Sequence, residues 1–249
     1  MTGVDDAVAP DPEGGAEPDG RGGPHAFVAD IARPELADAD RHHLARVLRL
    51  RPGDPLTVAD GEGRWRPCRF GPALEPVGPV VVVAPPGPAL TVAFAPTKGD
   101  RPEWAVQKLT ELGVDHVVLL ACDRSVVRWE RDRADRHLAR LTAVAREAAM
   151  QSRRSRLPTL RGPVPVGDLL GRPGTVRADR DGAPPSLRSP TILIGPEGGW
   201  SDHERATGGD TVGLGAHVLR SETAAVTAGV LLAALRLALV ADRSAPSPR

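Results

Sequence analysis

An apolar segment that runs directly into a glycine-rich loop is the strongest candidate for chemistry in the sequence. Residues 191–200 read TILIGPEGGW, and glycines in such a loop let backbone amides approach a ligand closely. Ligands of α/β proteins bind at the carboxyl ends of the strands, so a binding site is expected here. The loop has neither GxGxxG spacing nor a P-loop lysine, which disfavours a dinucleotide or a nucleoside triphosphate. An ordinary tight turn between a strand and a helix is the alternative.

A second strand-to-helix junction follows at residues 214–224, which read LGAHVLRSETA. Ser221 or Thr223 would cap the apolar helix that begins here, and Glu222 is favoured near its positive end. These roles are purely structural, but the pairing with the glycine loop favours one shared site. Between the two junctions, Ser201 and Glu204 have the spacing of a capping box.

Strand-like and helix-like segments alternate around these loops, which predicts a parallel sheet covered by helices. The predicted strands are residues 90–95, 116–121, 191–195 and 211–214. The predicted helices are residues 101–112, residues 133–150 and the apolar stretch 224–241. Residues 171–190 are interpreted as a loop-rich connection or insertion.

A smaller unit precedes this domain. A helix is predicted at residues 41–50, and β segments at 56–60 and 64–70 flank a glycine turn, so the unit is a small sheet or barrel. Residues 85–88 read PPGP and form a stiff linker. We therefore predict an acidic disordered tail at 1–23, a β unit at 24–86 and an α/β domain at 89–243.

Charge is unevenly distributed although the chain as a whole has a formal net charge of zero. The first 20 residues hold six acidic groups, whereas residues 124–161 hold eleven arginines and four acidic residues. Such a basic segment suits a nucleic-acid partner. The two isolated cysteines and seven histidines show no metal-ligand spacing, so no metal and a reducing cytoplasm are expected. The apolar stretch 224–241 is interpreted as a buried or interface helix rather than a membrane span, because it is alanine-rich and contains Arg236.

Six motifs in order resemble the RsmE family of SPOUT methyltransferases. The upstream motifs are HLARVLRLRPGD from His43, QKLTELGV at 107–114, DRSVVR at 123–128 and EAAMQSRRSRLP at 147–158. The downstream motifs are GPEGG from Gly195 and LGAHVLRSETAA from Leu214. Together they span roughly residues 43–225.

The resemblance implies a fold, a reaction and partners. The fold would be a small N-terminal PUA-like β-barrel followed by a SPOUT α/β domain with a C-terminal trefoil knot. Members methylate the N3 atom of a uridine in small-subunit (16S) ribosomal RNA with S-adenosylmethionine (SAM) as donor. They work as homodimers, so the expected partners are 16S rRNA or the small ribosomal subunit and a second copy of the chain.

The resemblance also implies a set of site residues. The predicted SAM-binding residues are Ile194, Gly195, Pro196, Glu197, Gly198, Gly199, Leu214, Gly215, Leu219, Ser221, Thr223 and Ala224. Uridine N3 becomes a good nucleophile only after it loses its proton. Glu197 and Glu222 are therefore candidate bases, and Arg220 is the candidate cation that stabilises the resulting anion. Capping and an ordering salt bridge are the structural alternatives for these three residues.

RNA binding is predicted mainly for the end of the long basic helix, because arginine pairs with phosphates and stacks on bases. The alternative is a solvated basic loop. The predicted RNA-binding residues are Arg41, Arg46, Arg49, Arg124, Arg128, Gln151, Arg153, Arg154 and Arg156.

Three segments depart from the family pattern. The N-terminal Pro24–Phe27 lacks the usual arginine, His217 stands where arginine is common, and Val176–Ala183 lacks a His-Glu pair. Two alternatives stay open: another SPOUT enzyme that methylates a ribose 2′-oxygen or a different base, and a non-catalytic RNA-binding protein.

Overall fold

The computed structural model describes residues 15–127, 129 and 131–242, and the chain divides into two compact units. Unit 1 comprises the described residues up to Pro85 together with Arg153–Arg156, and unit 2 comprises the described remainder. The boundary after Pro85 falls in the predicted linker. The prediction that Arg153–Arg156 belong to the second domain is wrong, because these residues pack within unit 1.

Unit 1 is built on a five-stranded sheet. Parallel pairing joins β1 (His25–Phe27) to β2 (Pro55–Ala59), and antiparallel pairing joins β2 to β3 (Arg64–Arg69). Both β4 (Glu75–Pro76) and β5 (Val81–Val82) pair with β3. Helix α1 (Asp38–His42) continues into one π-helical turn, His43–Val47, which confirms the predicted helix but begins it earlier. Gly61 and Gly63 have φ values of +81° and +100°, which explains the glycines of the predicted turn.

The start of unit 1 lies before the predicted boundary at Pro24. The Gly15 N–H donates to Val82 O at 2.9 Å, and Trp65 Nε1 donates to Ala16 O at 2.8 Å. A single 3-10 turn, Gly20–Gly22, follows. The predicted disorder is therefore wrong for residues 15–23, and the rest of the predicted tail lies outside the described residues.

Unit 2 contains a six-stranded, wholly parallel sheet in the order β11-β9-β10-β6-β7-β8. Its elements, in chain order, are β6 (Thr91–Phe94), α2 (Arg101–Glu111), β7 (His116–Ala121), α3 (Arg131–Ser152), β8 (Thr159–Pro165), β9 (Thr175–Ala183), β10 (Thr191–Ile194), α4 (Asp202–Ala206), β11 (Thr211–Val212) and α5 (Ser221–Arg236). The predicted parallel sheet is confirmed. The loop-rich interpretation of residues 171–190 is wrong, because β9 lies there between β10 and β11.

Both faces of this sheet are buried, as the apolar strands require. Val92 and Phe94 of β6 point to one face, where Leu109 of α2 and Leu232 of α5 pack. The intervening Ala93 belongs to a second core on the opposite face. Val166, Leu169 and Leu170, around the 3-10 turn Val166–Asp168, cover that second face together with Trp200. The loops of the site meet at the carboxyl ends of the strands.

Candidate functional site

The two predicted cofactor loops come together around one cavity of about 270 Å³ in unit 2. The cavity lies where the chain leaves β10 and β11, as expected for a parallel sheet. Ten of the twelve predicted SAM-binding residues line it: Ile194, Gly195, Pro196, Glu197, Gly199, Leu214, Gly215, Leu219, Ser221 and Ala224. Gly198 and Thr223 are not among its lining residues.

The three glycines of the first loop have different structural roles. A Cβ on Gly195 would lie only 3.0 Å from the Trp200 ring, so this glycine permits the ring to pack on the loop. A Cβ on Gly198 would meet Arg124 at 3.3 Å. Gly199 has φ +70°, and a Cβ there would meet no protein atom within 4 Å. Of these three glycines, only Gly199 thus combines a glycine conformation with open space at the cavity.

A capping box fixes the end of the first loop, as predicted. Ser201 Oγ accepts from the Glu204 N–H at 3.1 Å, and Glu204 Oε2 accepts from the Ser201 N–H at 2.7 Å. The buried Glu204 also accepts from the Asp123 N–H at 3.0 Å through its other oxygen. One carboxylate therefore joins the loop after β10 to the loop after β7.

The second junction is capped differently from the prediction. Arg220 is the N-cap residue of α5, and no side chain makes a capping hydrogen bond there. Ser221 instead donates its hydroxyl to Gly195 O at 3.2 Å. The predicted caps at Ser221 and Thr223 are therefore wrong, and Ser221 instead joins the two predicted cofactor loops.

The third wall of the cavity comes from β9, which the sequence analysis missed. Ala178, Asp179 and Arg180 line the cavity together with Arg205 of α4. Arg205 Nη1 lies 2.7 Å from Asp179 Oδ2. Burial raises the pKa of Asp179, but hydrogen bonds from the Arg180 N–H and from Arg205 outweigh it and bring the pKa below its usual value. The wall therefore carries an ionised carboxylate at neutral pH.

Trp200 and Arg177 attach this wall to the glycine loop. Trp200 is buried and donates through Nε1 to Ala178 O at 3.0 Å. The Arg177 guanidinium lies 5.9 Å from the centroid of the Trp200 ring, a cation–π distance, and donates to Glu204 O at 3.1 Å. His217 and Val218 also line the cavity. Trp200 and Val218 lie within the two motifs of the sequence analysis, and Arg177 and His217 lie at departures from the family pattern, but none of the four was predicted to line or support the cavity.

The three predicted catalytic residues have different surroundings. Arg220 is exposed, and its guanidinium forms no ion pair with a described residue. Glu197 lines the cavity, whereas Glu222 is buried on the first turn of α5. Arg101, which the sequence analysis did not single out, lies 4.0 Å from Glu197 Oε1 and 3.5 Å from Glu222 Oε1. The second oxygen of Glu222 is buried without a hydrogen-bond partner.

The basic segment has structural contacts within unit 1. Arg156 Nη2 donates to Val83 O at 2.8 Å, and its Nε is buried. The N–H of the buried Ser155 donates to Glu17 Oε2 at 2.7 Å. Arg153 has φ +58° and a buried Nη1 without a partner. The arginines of the segment are therefore half-buried rather than fully exposed, and RNA binding by them stays a prediction.

His25 holds the same segment. Its Nε2 lies 3.2 Å from Arg154 O and its Nδ1 lies 2.8 Å from Thr57 Oγ1. Because a carbonyl only accepts, the proton resides on Nε2 and the Thr57 hydroxyl donates to Nδ1. Burial lowers the pKa of His25 to about 4, so the ring is neutral at pH 7.

The remaining predicted RNA-binding residues differ in exposure. Arg41 is partly buried and donates to Gly71 O at 2.7 Å, whereas Arg46 and Arg49 are exposed. Arg124 is exposed, with Nη2 3.8 Å from Asp202 Oδ1. Gln151 is exposed at the end of α3, and Arg128 lies outside the described residues.

The described residues contain neither a metal-binding cluster nor a membrane-spanning helix. Within residues 15–127, 129 and 131–242, no three His, Cys, Asp or Glu side chains are grouped so as to hold a metal ion. Over the same ranges no helix combines the length and apolar character needed to span a membrane.

Comparison with known proteins agrees with the two-unit architecture. The RNA methyltransferase domain family matches residues 85–233, and the RNA methyltransferase PUA domain family matches residues 36–71. The predicted α/β fold with an N-terminal PUA-like unit is thereby confirmed. The trefoil knot is consistent with these matches and stays a prediction.

Individual relatives cover most of the chain. Proteins named ribosomal RNA small subunit methyltransferase E from Mycobacterium bovis and Mycobacterium tuberculosis are 33% identical to it over 236 residues, covering 81% of this chain and 86% of theirs. A crystal structure of ribosomal RNA small subunit methyltransferase E from Neisseria gonorrhoeae, bound to SAM, is 26% identical with a TM-score of 0.71. It covers 86% of this chain and 97% of that protein. The chain therefore belongs to the ribosomal RNA small subunit methyltransferase E family, the RsmE family of SPOUT methyltransferases.

Proposed function

We propose that this chain transfers the methyl group of SAM to the N3 atom of one uridine in 16S ribosomal RNA. The observation that carries the proposal is the convergence of ten predicted cofactor residues on one cavity. Family membership supports it, because the curated relatives are named as small-subunit rRNA methyltransferases and the Neisseria structure holds SAM. The chain is accordingly a SAM-dependent rRNA methyltransferase, and the uridine N3 atom is the finer part of the proposal.

The cavity residues fit SAM. Ile194, Leu214 and Leu219 offer apolar surface to a purine ring. The space beside Gly199 and Gly215 is open, since an added Cβ at either position would meet no protein atom within 4 Å. Asp179 and Arg205 supply both signs of charge, which suits a ligand with a carboxylate, an ammonium and a sulfonium group. When bound, SAM supplies an activated methyl group for in-line displacement, and alignment is the main task of the protein.

Proton removal and charge stabilisation fall to Glu197 and Arg220 in this proposal. Glu197 is better placed than Glu222 to accept the N3 proton, because Glu197 lines the cavity and Glu222 does not. Arg101 lies near both carboxylates and positions them. The guanidinium of Arg220 forms no ion pair with a described residue and lies next to the cavity residues Leu219 and Ser221 in the chain, so it is available to stabilise the uridine anion.

A homodimer in the cytoplasm is part of the proposal. Leu237 and Leu239, just after α5, are 66% and 74% exposed, and Val230 on α5 and Val240 are also exposed. Grouped apolar side chains of this kind favour a protein interface. A ribosomal substrate implies the cytoplasm.

Light scattering tests the dimer. It should give the mass of two chains for the wild type and of one chain for Leu237→Glu/Leu239→Glu. A monomeric wild type would refute the dimer.

The test uses small ribosomal subunits from cells that lack this protein. Incubation with the purified protein and SAM should add a methyl group to a single uridine of the 16S rRNA. Because N3 lies on the Watson–Crick edge, the product should block reverse transcription at that nucleotide, whereas a ribose 2′-O-methyl group leaves the pairing edge free. Methylation without such a block would favour the ribose alternative, and SAM binding without any transfer to subunits or rRNA would refute the proposed reaction.

A further inference from the structure

A second cavity of about 320 Å³ lies in unit 2, where the chain leaves β6 and enters α2. None of its lining residues belongs to the proposed SAM cavity. Its position is the carboxyl end of a central strand of the parallel sheet, where ligands bind in this class of fold. Its volume is at the lower end of that of small-ligand sites, which begin at about 300 Å³.

Two polar atoms of residues that line this cavity have no hydrogen-bond partner among the described residues. Thr97 is only 5% exposed, and its Oγ1 is buried without a hydrogen bond. Glu103 Oε2 is also buried without one, while Glu103 Oε1 lies 3.0 Å from Arg140 Nε. Arg140 therefore fixes the carboxylate and leaves one oxygen free to accept. Because unpaired buried polar atoms are unfavourable, a ligand that bonds to them would be stabilised here.

The other lining groups suit a nucleotide. Lys98 and Arg133 are exposed, and neither forms an ion pair with a described residue. His137 stacks on Trp129 with ring centroids 4.7 Å apart and an interplanar angle of 12°. The cavity thus combines buried polar groups that can read a base edge, an aromatic pair, and cations at positions open to solvent.

We propose that this cavity binds one nucleotide of the RNA substrate other than the methylated uridine. Its phosphate would lie near Lys98 and Arg133, where it stays partly hydrated. Its base would enter the cavity and bond to Thr97 Oγ1 and Glu103 Oε2. Since an ionised carboxylate only accepts, Glu103 selects a base edge that presents an N–H group. The inference rests on the proposed function for the identity of the ligand as RNA.

Direct binding tests the cation part of this subsite. The probe is a short fluorescent single-stranded RNA of mixed sequence, titrated at several salt concentrations in the presence of saturating SAM. Lys98→Ala/Arg133→Ala should raise the Kd for RNA by about tenfold and flatten the log–log salt slope by about 0.7, the value for one phosphate on a single strand, while the Kd for SAM stays within twofold. The matched control is Arg172→Ala/Arg188→Ala, which removes two exposed arginines before the amino ends of β9 and β10. The control should bind RNA like the wild type.

Variants at Thr97 and Glu103 test whether the cavity binds a base. Thr97→Val removes the hydroxyl at nearly constant shape and should weaken RNA binding several-fold, whereas Thr97→Ser should retain it. Glu103→Gln replaces an acceptor-only group by one that also donates, so the preference among RNA homopolymers should change.

Either of two results would overturn the subsite: an RNA affinity and salt slope of the Lys98/Arg133 variant equal to those of the wild type, or an equal loss in the control. Unaltered RNA binding by Thr97→Val would show that no base bonds to the Thr97 hydroxyl in this cavity. Failure of the proposed function has a different signature, because the wild type would then bind RNA and SAM normally and transfer no methyl group.

Discussion

The glycine loop after β10 and the basic segment after α3 differ in how many of their polar groups are already engaged. The glycine loop borders open space at Gly199, and its charged residue Glu197 is exposed beside the cavity. In the basic segment, the Ser155 N–H and Arg156 Nη2 are bonded within unit 1, whereas Arg153 Nη1 and Arg156 Nε are buried without a hydrogen-bond partner among the described residues. A ligand competes poorly for a buried group that the fold already uses. A high arginine content therefore defines an RNA site only where the arginine side chains are not already buried or bonded within the protein.

The largest effect is expected for substitution of Arg220, which lies between the cavity residues Leu219 and Ser221 in the chain. Arg220→Lys keeps the charge but loses the planar guanidinium, so kcat should fall roughly tenfold to a thousandfold. SAM affinity should change little, and raising the pH should partly rescue turnover because more uridine is already ionised. Steady-state kinetics and calorimetry measure both quantities. Loss of SAM binding in parallel with turnover would instead make Arg220 a structural residue.

Acid should destabilise unit 1, where the basic segment packs, through protonation of His25. Its pKa is lowered from 6.5 in the unfolded chain to about 4 in unit 1. The unfolded state therefore binds a proton first, and the stability that neutral His25 contributes is complete above pH 6.5 and is lost as the pH falls towards 4. The loss should approach about 3 kcal/mol and stop below that pH.

Denaturant unfolding monitored through Trp65 measures this loss, because Trp65 is the one tryptophan of unit 1. His25→Gln should remove this part of the pH dependence. The matched control His42→Gln changes an exposed histidine of the same unit and should leave it intact. An identical pH profile for His25→Gln and wild type would show that His25 is not the titrating group.

Arg156 separates a structural role from an RNA-binding role. Arg156→Ala removes a guanidinium that bonds to Val83 O and should destabilise unit 1 by about 2 kcal/mol. The control Arg51→Ala removes an exposed arginine of the same unit and should have little effect on stability. RNA binding by the Arg156 variant, measured below its unfolding transition, should keep the salt slope of the wild type. A flatter slope without destabilisation would restore the segment as a phosphate-binding surface.

The smallest expected effect concerns Gly199. Gly199→Ala adds a methyl group at the cavity and should weaken SAM binding about tenfold. Gly209→Ala is a matched control, because Gly209 also has positive φ (+93°) and open space but does not line the cavity. Both variants bear similar backbone strain. Equal SAM affinity in the two variants would argue that the cavity beside Gly199 is not the cofactor site.

Local signals in the sequence predicted the parts of the site that depend on neighbouring residues. The Ser201 and Glu204 capping box, the boundaries of α2, and the strands β7 and β10 are correct or nearly so. Each depends on hydrogen bonds or periodicity within a few residues. The glycine loop was identified for the same reason.

The sequence did not predict the parts of the site that depend on contacts between residues far apart in the chain. Strand β9 reads TVRADRDGA, which lacks apolar alternation, and the buried Arg177 is accommodated only because Glu204 O and the Trp200 ring come from elsewhere in the chain. In the sequence, Arg101 is an ordinary residue at the start of a helix. Its role depends on Glu197 and Glu222, which only the fold brings near it. The structural role of Arg156 likewise depends on Val83. No local pattern contains these partners.

Hydrogen–deuterium exchange with and without SAM tests the central comparison most directly. SAM should slow exchange in residues 195–199 and 214–224, because these loops surround the cavity that SAM would fill, and leave residues 153–156 unchanged. Small-subunit RNA should likewise add no protection at 153–156, where the Ser155 N–H is already bonded to Glu17 Oε2. Protection by SAM confined to other segments, or new protection by RNA at 153–156, would contradict the account.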